Sequence, residues 1–333
     1  MKKVVTFGEV MMRLSPPGYA KFSQVNELEL AYGGGEANVA ISLAYFGMAC
    51  VHVTRFPDNL IGRSATQYLR HHWLDTSEVI YGEGRMGKYF IEKGAVHRSS
   101  EVVYERDHSA FSLIEPEMVN WERVLECADW FHFTGITPGI SQGAFDNCLK
   151  AIEVANRNGI TVSLDVHSRK NLWRYGRNQE DVLNELIRGC DVLIASQHDM
   201  QNVLDIEGKE PSFETCACMV SSKYNRVKKV VDKNRESLNA SHNRVQGLLW
   251  NGVSTLYSST FDVTHIVDRV GTGDAFAAGL IYGLLEYEND QDAIDFASAA
   301  CSLKHTVEGD ANLVSSRDVK RLVQGNVSGR IIR

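Results

Sequence analysis

Near the carboxyl end of the chain stands the sequence Ile266-Val267-Asp268-Arg269-Val270-Gly271-Thr272-Gly273-Asp274-Ala275-Phe276. A β-type segment (261–267) runs into a turn with two glycines, and a helix that is apolar on every side follows. Gly271 and Gly273 let backbone N–H groups face an anion, and the start of the helix adds its positive dipole end. Asp274, in the first turn of this helix, lies within reach of a group held by the turn. The alternative is an ordinary glycine turn with a helix-capping aspartate.

A carboxylate beside an anion cradle is the arrangement that transfer of a phosphoryl group to an alcohol requires. Asp274 is the candidate general base, which would orient the hydroxyl and take its proton as the bond to phosphorus forms. The N–H groups of Gly271, Thr272 and Gly273 would hold the negative charge that develops during transfer. We call residues 271–273 the anion turn.

A second glycine turn opens another helix near the amino end. Residues 33–47 read Gly-Gly-Gly-Glu-Ala-Asn-Val-Ala-Ile-Ser-Leu-Ala-Tyr-Phe-Gly, a helix of small and apolar residues that Gly47 is expected to end. The two runs, their order and their separation resemble the two signatures of the ribokinase-like, or PfkB, family of carbohydrate kinases. The resemblance covers nearly the whole chain. Arg269 stands where many members carry Thr, so the late motif is a variant.

Composition and charge narrow the class of protein. With 333 residues, of which 44% are hydrophobic, the chain can bury one large core or two medium ones. Seven cysteines without a Cys-x-x-Cys pair favour reduced thiols and a cytoplasmic location. No apolar run is long enough to cross a bilayer, and the first residues read as a strand rather than a signal peptide. A net charge of −7 without a basic block argues against a nucleic-acid partner.

Short β-rich segments alternate with helical patterns through most of the chain. This alternation predicts βαβ units, and so an α/β fold with a mostly parallel sheet covered on both faces. The resemblance implies a ribokinase-like three-layer α/β/α core in a single domain over residues 1–333. The predicted strands span 130–133, 160–166, 191–194 and 227–231, and the predicted helices span 142–158, 180–188, 213–224, 272–287, 290–304 and 315–323.

Two regions, 13–32 and 84–112, break this alternation. Both hold β-like segments, such as 88–92 and 101–106, that look like strands outside the main sheet. The resemblance implies a small β-sheet that closes over a cleft as a lid, and decorated surface hairpins are the alternative. Because the exposed edges of such a sheet invite pairing with another subunit, we expect a homodimer or a larger assembly.

Other nucleotide and metal motifs fit poorly. Residues 82–89 nearly match a P-loop, but Tyr89 replaces the hydroxyl residue that binds Mg²⁺, and a strand follows where a P-loop needs a helix. The first strand ends at Gly8-Glu9 without the glycine fingerprint of a dinucleotide site. The histidines show no spacing typical of a zinc site.

Two arginines and two tyrosines indicate an acidic substrate. Tyr104 and Arg106 alternate on one face of a presumed lid strand, Tyr89 lies on the neighbouring strand, and Arg169 follows a strand at the carboxyl edge of the sheet, where ligands bind. Two guanidinium groups over one cleft suit a carboxylate, which arginine binds in a bidentate way. Solvated arginines and packing tyrosines are the alternative.

The resemblance extends these sets. The same four residues stand at positions similar to those that hold the acid sugar in 2-keto-3-deoxygluconate kinases, a PfkB branch. It adds the early-turn residues Gly34, Gly35 and Asn38 to the sugar contacts, together with Asp268. Arg13 stands where ribokinase-type members carry an Asp that pairs with sugar hydroxyls, and a cation there argues against a neutral pentose.

For the nucleotide, the resemblance implies an ATP site formed by Ser196, Asp199 and Arg235 with Gly271 and Gly273. Ser196 and Asp199 replace the family's Asn and Glu in the element that helps to place Mg²⁺. Mg²⁺ is expected to arrive mainly with ATP, and a monovalent cation is a further possibility.

The expected function is therefore ATP-dependent phosphorylation of the terminal hydroxyl of 2-keto-3-deoxygluconate. Two alternatives stay open at this point. One is a fructokinase or another neutral-sugar kinase of the same family, and the other is a catalytically inactive regulator that binds a sugar or a nucleotide.

Overall fold

The computed structural model of the chain describes residues 1–167, 172–203 and 211–326. The strands are β1 (Lys3–Phe7), β2 (Met11–Ser15), β3 (Glu29–Gly33), β4 (Ala49–Pro57), β5 (Val79–Gly82), β6 (Lys88–Glu92), β7 (Glu101–Glu105), β8 (Trp130–Thr134), β9 (Thr161–Asp165), β10 (Val192–Ile194), β11 (Lys229–Asn239), β12 (His242–Trp250), β13 (Thr255–Tyr257) and β14 (Phe261–Val263). The helices are α1 (Gly35–Tyr45), α2 (Leu60–His71), α3 (Trp121–Val124), α4 (Gln142–Arg157), α5 (Gln179–Ile187), α6 (Gln197–Val203), α7 (Phe213–Lys223), α8 (Thr272–Glu286), α9 (Asp290–Lys304) and α10 (Ser316–Val323).

A ten-stranded sheet forms the centre of the molecule, in the order β13-β12-β11-β10-β9-β8-β1-β4-β5, and β14 pairs with β12. The pairs from β11 through β5 are parallel, and β12 to β14 add antiparallel strands at one edge. Successive side chains of one strand enter opposite cores, since Val5 belongs to a cluster with α4, α5 and α7, and Val4 to a cluster with α1, α8 and α9. The predicted three-layer α/β/α fold is confirmed.

Helix α8 is held in place by close packing against α9. A Cβ atom at Gly279 would lie 2.7 Å from the Cα of Ala297, and one at Gly283 would lie 2.5 Å from the Cα of Ala293. The two helix backbones approach so closely because these positions carry no side chain. This packing fixes the amino end of α8, which carries the anion turn.

A separate four-stranded sheet has the order β3-β2-β6-β7, and we call it the small sheet. The β2–β3 and β6–β7 pairs are antiparallel, and the β2–β6 pair is parallel. Every residue of β7 is exposed. Strands β6 and β7 lie within the second region that breaks the alternation. In the first region, 13–32, β2 begins two residues earlier and β3 ends one residue later than the predicted bounds.

Two strand boundaries were predicted wrongly. Strand β11 runs on to Asn239 because it forms a long hairpin with β12, and its polar outer half gave no strand pattern. Strand β14 ends at Val263 rather than Val267, since its pairing with β12 covers only three residues. Within 1–167, 172–203 and 211–326, no helix is long and apolar enough to cross a membrane.

Candidate active site

A cleft of about 1510 Å³ opens at the carboxyl ends of the parallel strands. Its walls include residues that directly follow β1, β9 and β10, the middle of β11, the anion turn, and strands β6 and β7 of the small sheet. This is the edge at which open α/β sheets bind ligands. Both glycine motifs of the sequence reach this one cavity.

The anion turn has the geometry that its glycines were expected to allow. Gly271 caps α8 with φ 75° and ψ 2°, in the left-handed region. A Cβ atom there would lie 1.7 Å from the backbone oxygen of Asp310, so only glycine fits. The first N–H groups of α8 have no acceptor within the helix, because that turn has no preceding carbonyls. An anion in the cleft can therefore accept hydrogen bonds from the turn.

Asp274 lies in the same wall and is buried, with 8% of its surface exposed. Its Oδ2 accepts a hydrogen bond of 2.7 Å from Nδ2 of Asn38, which joins the late motif to the early one. Burial raises the pKa of Asp274 to about 6, and the negative charges of Asp165 and Asp310 add to the rise. The charge of His167 and the bond from Asn38 act in the opposite direction. The carboxylate is thus ionised at neutral pH, yet more basic than an exposed aspartate.

The early glycine turn is required by close backbone packing. A Cβ atom at Gly34 would lie 2.1 Å from the backbone oxygen of Glu9, and one at Gly33 would lie 2.2 Å from a carboxylate oxygen of Asp310. Gly35 begins α1, and a Cβ atom there would lie 3.7 Å from Oδ1 of Asp274. These three residues line the cleft on the side of the base.

Glu36 follows this turn and is a structural anchor. Its buried carboxylate accepts hydrogen bonds from the backbone N–H and the hydroxyl of Thr134 and from the hydroxyl of Thr137. Burial raises the pKa of Glu36. The anchored carboxylate ties the start of α1 to the end of β8.

The small sheet contributes an aromatic and cationic wall. Tyr104 is 54% exposed and lines the cleft, 5.7 Å from the ring of Tyr89. The hydroxyl of Tyr89, which is buried, donates to a carboxylate oxygen of Asp310. Arg106 also lines the cleft, and its Nε donates to Oε2 of Glu9 at 2.9 Å. Arg169, the fourth predicted substrate residue, lies outside the described residues.

Asp268 is the predicted substrate residue that the structure does not bring to the cleft wall. Its carboxylate is buried against Arg13, with 2.7 Å between Nη2 and Oδ2, and it accepts the backbone N–H groups of Val270 and Gly309. Arg13 makes a second ion pair, 2.5 Å from Oδ1 of Asp310. Arg13 therefore joins the small sheet to the anion turn. That a cation at this position disfavours a neutral pentose stays a prediction.

On the nucleotide side, Ser196 and Asp199 line the cleft at the start of α6. The Ser196 hydroxyl bonds Oδ2 of Asp199 at 2.6 Å, and the N–H of Asp199 donates to the Ser196 oxygen at 3.0 Å. The pair thus forms a capping box that starts the helix. Arg235 is exposed within β11 and lines the cleft, although the predicted strand ended at residue 231.

Sequence reasoning missed several cleft residues. Asp232 and Lys233 lie in the polar half of β11, and burial raises the pKa of Asp232 to about 6. Asp165 ends β9 and His167 lies two residues beyond it, where the run Asp-Val-His at the end of the predicted strand was a usable signal. Glu9 follows β1 in the same way. Within the described ranges there is no group of three or more His, Cys, Asp or Glu residues that could hold a metal ion.

Comparisons with known proteins agree with this geometry. A 2-dehydro-3-deoxygalactonokinase from Haloferax volcanii is 30% identical over 98% of each chain. The crystal structure of a 2-dehydro-3-deoxygluconokinase from Thermotoga maritima superposes with a TM-score of 0.92 at 40% identity, and covers 98% of this chain and 100% of that chain. A putative ribokinase II from E. coli, solved in complex with ATP and Mg²⁺, shares the fold at 18% identity with a TM-score of 0.83, over 98% of this chain and 100% of that chain.

The family match extends over most of the chain, as the motif order and separation predicted. Residues 1–317 match the family described as pfkB family carbohydrate kinase. The members of such a family transfer a phosphoryl group to an alcohol group of a sugar. With this match and a relative that is 30% identical over 98% of its length, the chain belongs to the pfkB family of carbohydrate kinases.

Proposed function

We propose that the protein is an ATP-dependent sugar-acid kinase that phosphorylates the terminal hydroxyl of 2-keto-3-deoxygluconate. The observation that carries the proposal is that Asp274 and the anion turn line the same cleft as Tyr104 and Arg106. The walls of this cavity carry a base and an anion cradle together with a guanidinium group and an exposed tyrosine. A sugar acid has a hydroxyl for the base and a carboxylate for the guanidinium group.

The reaction uses Asp274 as the general base. The terminal hydroxyl of the sugar donates a hydrogen bond to the carboxylate, which takes the proton as the new O–P bond forms. The negative charge on the transferred group is held by the N–H groups of the anion turn. Because the pKa of Asp274 is about 6, the base is ionised at neutral pH and is stronger than an exposed aspartate.

Substrate acidity is recognised by the small-sheet wall. Glu9 accepts hydrogen bonds from Nε and Nη2 of Arg106, which fixes the guanidinium plane. Among the described residues no hydrogen bond occupies the second terminal nitrogen, Nη1, and this nitrogen is available for a substrate carboxylate. The printed names of the Haloferax volcanii and Thermotoga maritima relatives, both kinases of keto-deoxy sugar acids, support the same choice.

The nucleotide side of the cleft suits a triphosphate with its metal ion. Arg235 supplies positive charge there, while Asp199 and Asp232 supply carboxylate oxygens, the ligand type that Mg²⁺ prefers. The capping box uses Oδ2 of Asp199 and leaves Oδ1 for the metal or its waters. Mg²⁺ would neutralise charge on the phosphate oxygens, which hold it for the most part.

We propose further that the small sheet closes over the cleft as a lid, within a single domain spanning the chain. Its strand β7 is exposed along its whole length, and no strand among the described residues pairs with its outer edge, which favours a homodimer or a larger assembly through this sheet. All seven cysteines are free thiols, which suits the cytoplasm.

A substrate panel tests the proposal. Release of ADP from Mg-ATP would be measured with 2-keto-3-deoxygluconate, its galacto epimer, fructose, ribose and a nucleoside. We expect turnover with a keto-deoxy sugar acid and little with the neutral sugars. Turnover with fructose alone would identify the neutral-sugar alternative, and no ADP release with any acceptor would identify a regulator.

The variant Arg106→Gln separates acid recognition from catalysis. A charged hydrogen bond of this kind is worth about 1.5–3 kcal/mol, so kcat/KM for the sugar acid should fall roughly 10- to 150-fold. The small kcat/KM for a neutral sugar should change little. Equal losses for both substrates would contradict the assignment of the guanidinium to the substrate carboxylate.

A further inference from the structure

We propose that Lys233 is a further catalytic residue of this kinase and that its ammonium group binds the phosphoryl group during transfer. The inference rests on the proposed function, since it assigns a role within the same cleft. Neither glycine motif contains Lys233, which comes from the polar half of β11 and lines the cleft beside Asp232.

The position of the ammonium group is defined by Gly273. A Cβ atom at Gly273 would lie 3.2 Å from Nζ of Lys233 and 3.7 Å from Nε2 of His167. The lysine therefore lies directly against Gly273, the second glycine of the anion turn. A substitution at Gly273 would push the ammonium group away from the first turn of α8.

The negative charge of Asp232, the preceding residue, attracts the ammonium group of Lys233 without forming a salt bridge with it. Among residues 1–167, 172–203 and 211–326, Lys233 makes no ion pair with a carboxylate, although its Nζ lies 5.6 Å from the ring centre of Phe276. The amino end of a helix carries a partial positive charge, so a cation against the first turn of α8 is electrostatically unfavourable. An anion between the ammonium group and the turn reverses the sign of both interactions.

The anion that fits is the γ-phosphoryl group in transfer rather than the α- and β-phosphates. Lys233 faces Gly273, and Asp274, the proposed base, is the next residue. Arg235 and Arg269 also line the cleft, where they can hold the rest of the nucleotide. Burial and the charge of Arg235 both lower the pKa of Arg269, so these two cations are close enough to repel each other.

The chemical step balances without a change in the lysine. The sugar oxygen forms a bond to the γ-phosphorus, and the bond from this phosphorus to the β–γ bridging oxygen breaks, with its electron pair leaving on ADP. The proton of the sugar hydroxyl goes to Asp274. Lys233 keeps its three protons and donates hydrogen bonds to the non-bridging oxygens as their charge shifts.

The test compares Lys233→Met with Lys233→Arg and with a matched control, Lys229→Met. Lys229 lies on the same strand outside the cleft and pairs with Asp290 at 2.6 Å. Loss of one donor to a developing negative charge costs about 10²–10³ in kcat, so this is the expected loss for Lys233→Met. Lys233→Arg should recover part of it, and Lys229→Met should retain the wild-type kcat.

Binding separates a catalytic role from a structural one. By calorimetry, Lys233→Met should bind Mg-ADP within about threefold of the wild type, because ADP lacks the group that the lysine contacts. Aluminium fluoride mimics the group in transfer, so the wild type should bind ADP more tightly when aluminium fluoride and the sugar are added. Lys233→Met should lose this gain in affinity.

Two results would overturn the role of Lys233. One is a kcat of Lys233→Met within threefold of the wild type. The other is an equal loss of affinity for ADP and for the aluminium fluoride complex, in Lys233→Arg as well as in the methionine variant. If the wild type phosphorylates a neutral sugar but no sugar acid, the proposed function fails, and the lysine variants can still be compared on that neutral sugar.

Discussion

Replacing Asp274 with Asn should lower activity and raise stability at the same time. Asn keeps the size of the side chain, and its amide oxygen can still accept the 2.7 Å hydrogen bond from Asn38. The change removes a base that contributes about 10²–10⁴ in rate. Because each tenfold change is worth about 1.4 kcal/mol, the barrier should rise by roughly 3–5 kcal/mol.

The stability change follows from the pKa of Asp274, which burial raises from its ordinary value of 3.8 to about 6. Between these values the folded protein holds a proton that the unfolded chain has released, so the carboxyl group makes the protein less stable as the pH rises through this window. At neutral pH the buried charge costs about 3 kcal/mol. Asp274→Asn should recover up to that amount at pH 7.5 and much less at pH 4.

Steady-state ADP release and urea unfolding at both pH values provide the two measurements. For the wild type, kcat/KM should fall below about pH 6 as the base takes up a proton. The negative charge of Asp165 raises the pKa of Asp274. In an Asp165→Asn variant the fall of kcat/KM on the acid side should therefore move to lower pH. A turnover of Asp274→Asn within threefold of the wild type would refute the reasoning, and so would a variant that is less stable at pH 7.5.

Three further changes have outcomes set by the structure. Gly271→Ala should abolish turnover and destabilise the fold, because its Cβ would lie 1.7 Å from a backbone oxygen. Gly309→Ala is the control, since Gly309 has φ 83° and, beyond its chain neighbours, no atom of the described residues lies within 4 Å of its Cβ position. In urea unfolding it should lose only about 1–2 kcal/mol, which is what a left-handed backbone costs a residue with a side chain. Arg13→Met leaves the buried carboxylates of Asp268 and Asp310 without their ion pair and should lower the free energy of unfolding by about 3–5 kcal/mol in urea. Replacing both aspartates by asparagine in the same variant should remove most of this loss. His52 and His132 are buried, and burial lowers the pKa of each to about 3. As the pH falls below 6.5 the unfolded chain therefore binds protons before the folded protein does, and each histidine should lower the free energy of unfolding by about 2 kcal/mol at pH 5. Urea unfolding of a His132→Asn variant should show a smaller loss of stability between pH 7.5 and pH 5 than the wild type.

Much of the fold follows from local sequence signals. Helix α9 begins and ends at the predicted residues, Asp290 and Lys304, because Asn289 caps it and small residues face α8. The anion turn was equally readable, since a left-handed position against a backbone oxygen admits only glycine at 271. Such features depend on a few neighbouring residues, and periodicity and turn chemistry report them directly.

Long-range charge pairing could not be read in this way. Arg13 and Asp268 are 255 residues apart, and their ion pair becomes visible only when the small sheet is placed beside the anion turn. Glu9 and Arg106, 97 residues apart, are paired in the same manner. Lys233 lies beyond the predicted strand 227–231, because the polar sequence of this half of β11 does not indicate the hairpin pairing that β12 supplies.

The most direct test of the account is a crystal structure with 2-keto-3-deoxygluconate and a non-hydrolysable ATP analogue. The account predicts that the terminal hydroxyl lies within about 2.6–3.2 Å of the Asp274 carboxylate. It also predicts the γ-phosphate on the N–H groups of residues 271–273, and the substrate carboxylate at Tyr104 and Arg106. A sugar bound with its carboxylate towards the anion turn, or with no hydroxyl within reach of Asp274, would contradict it.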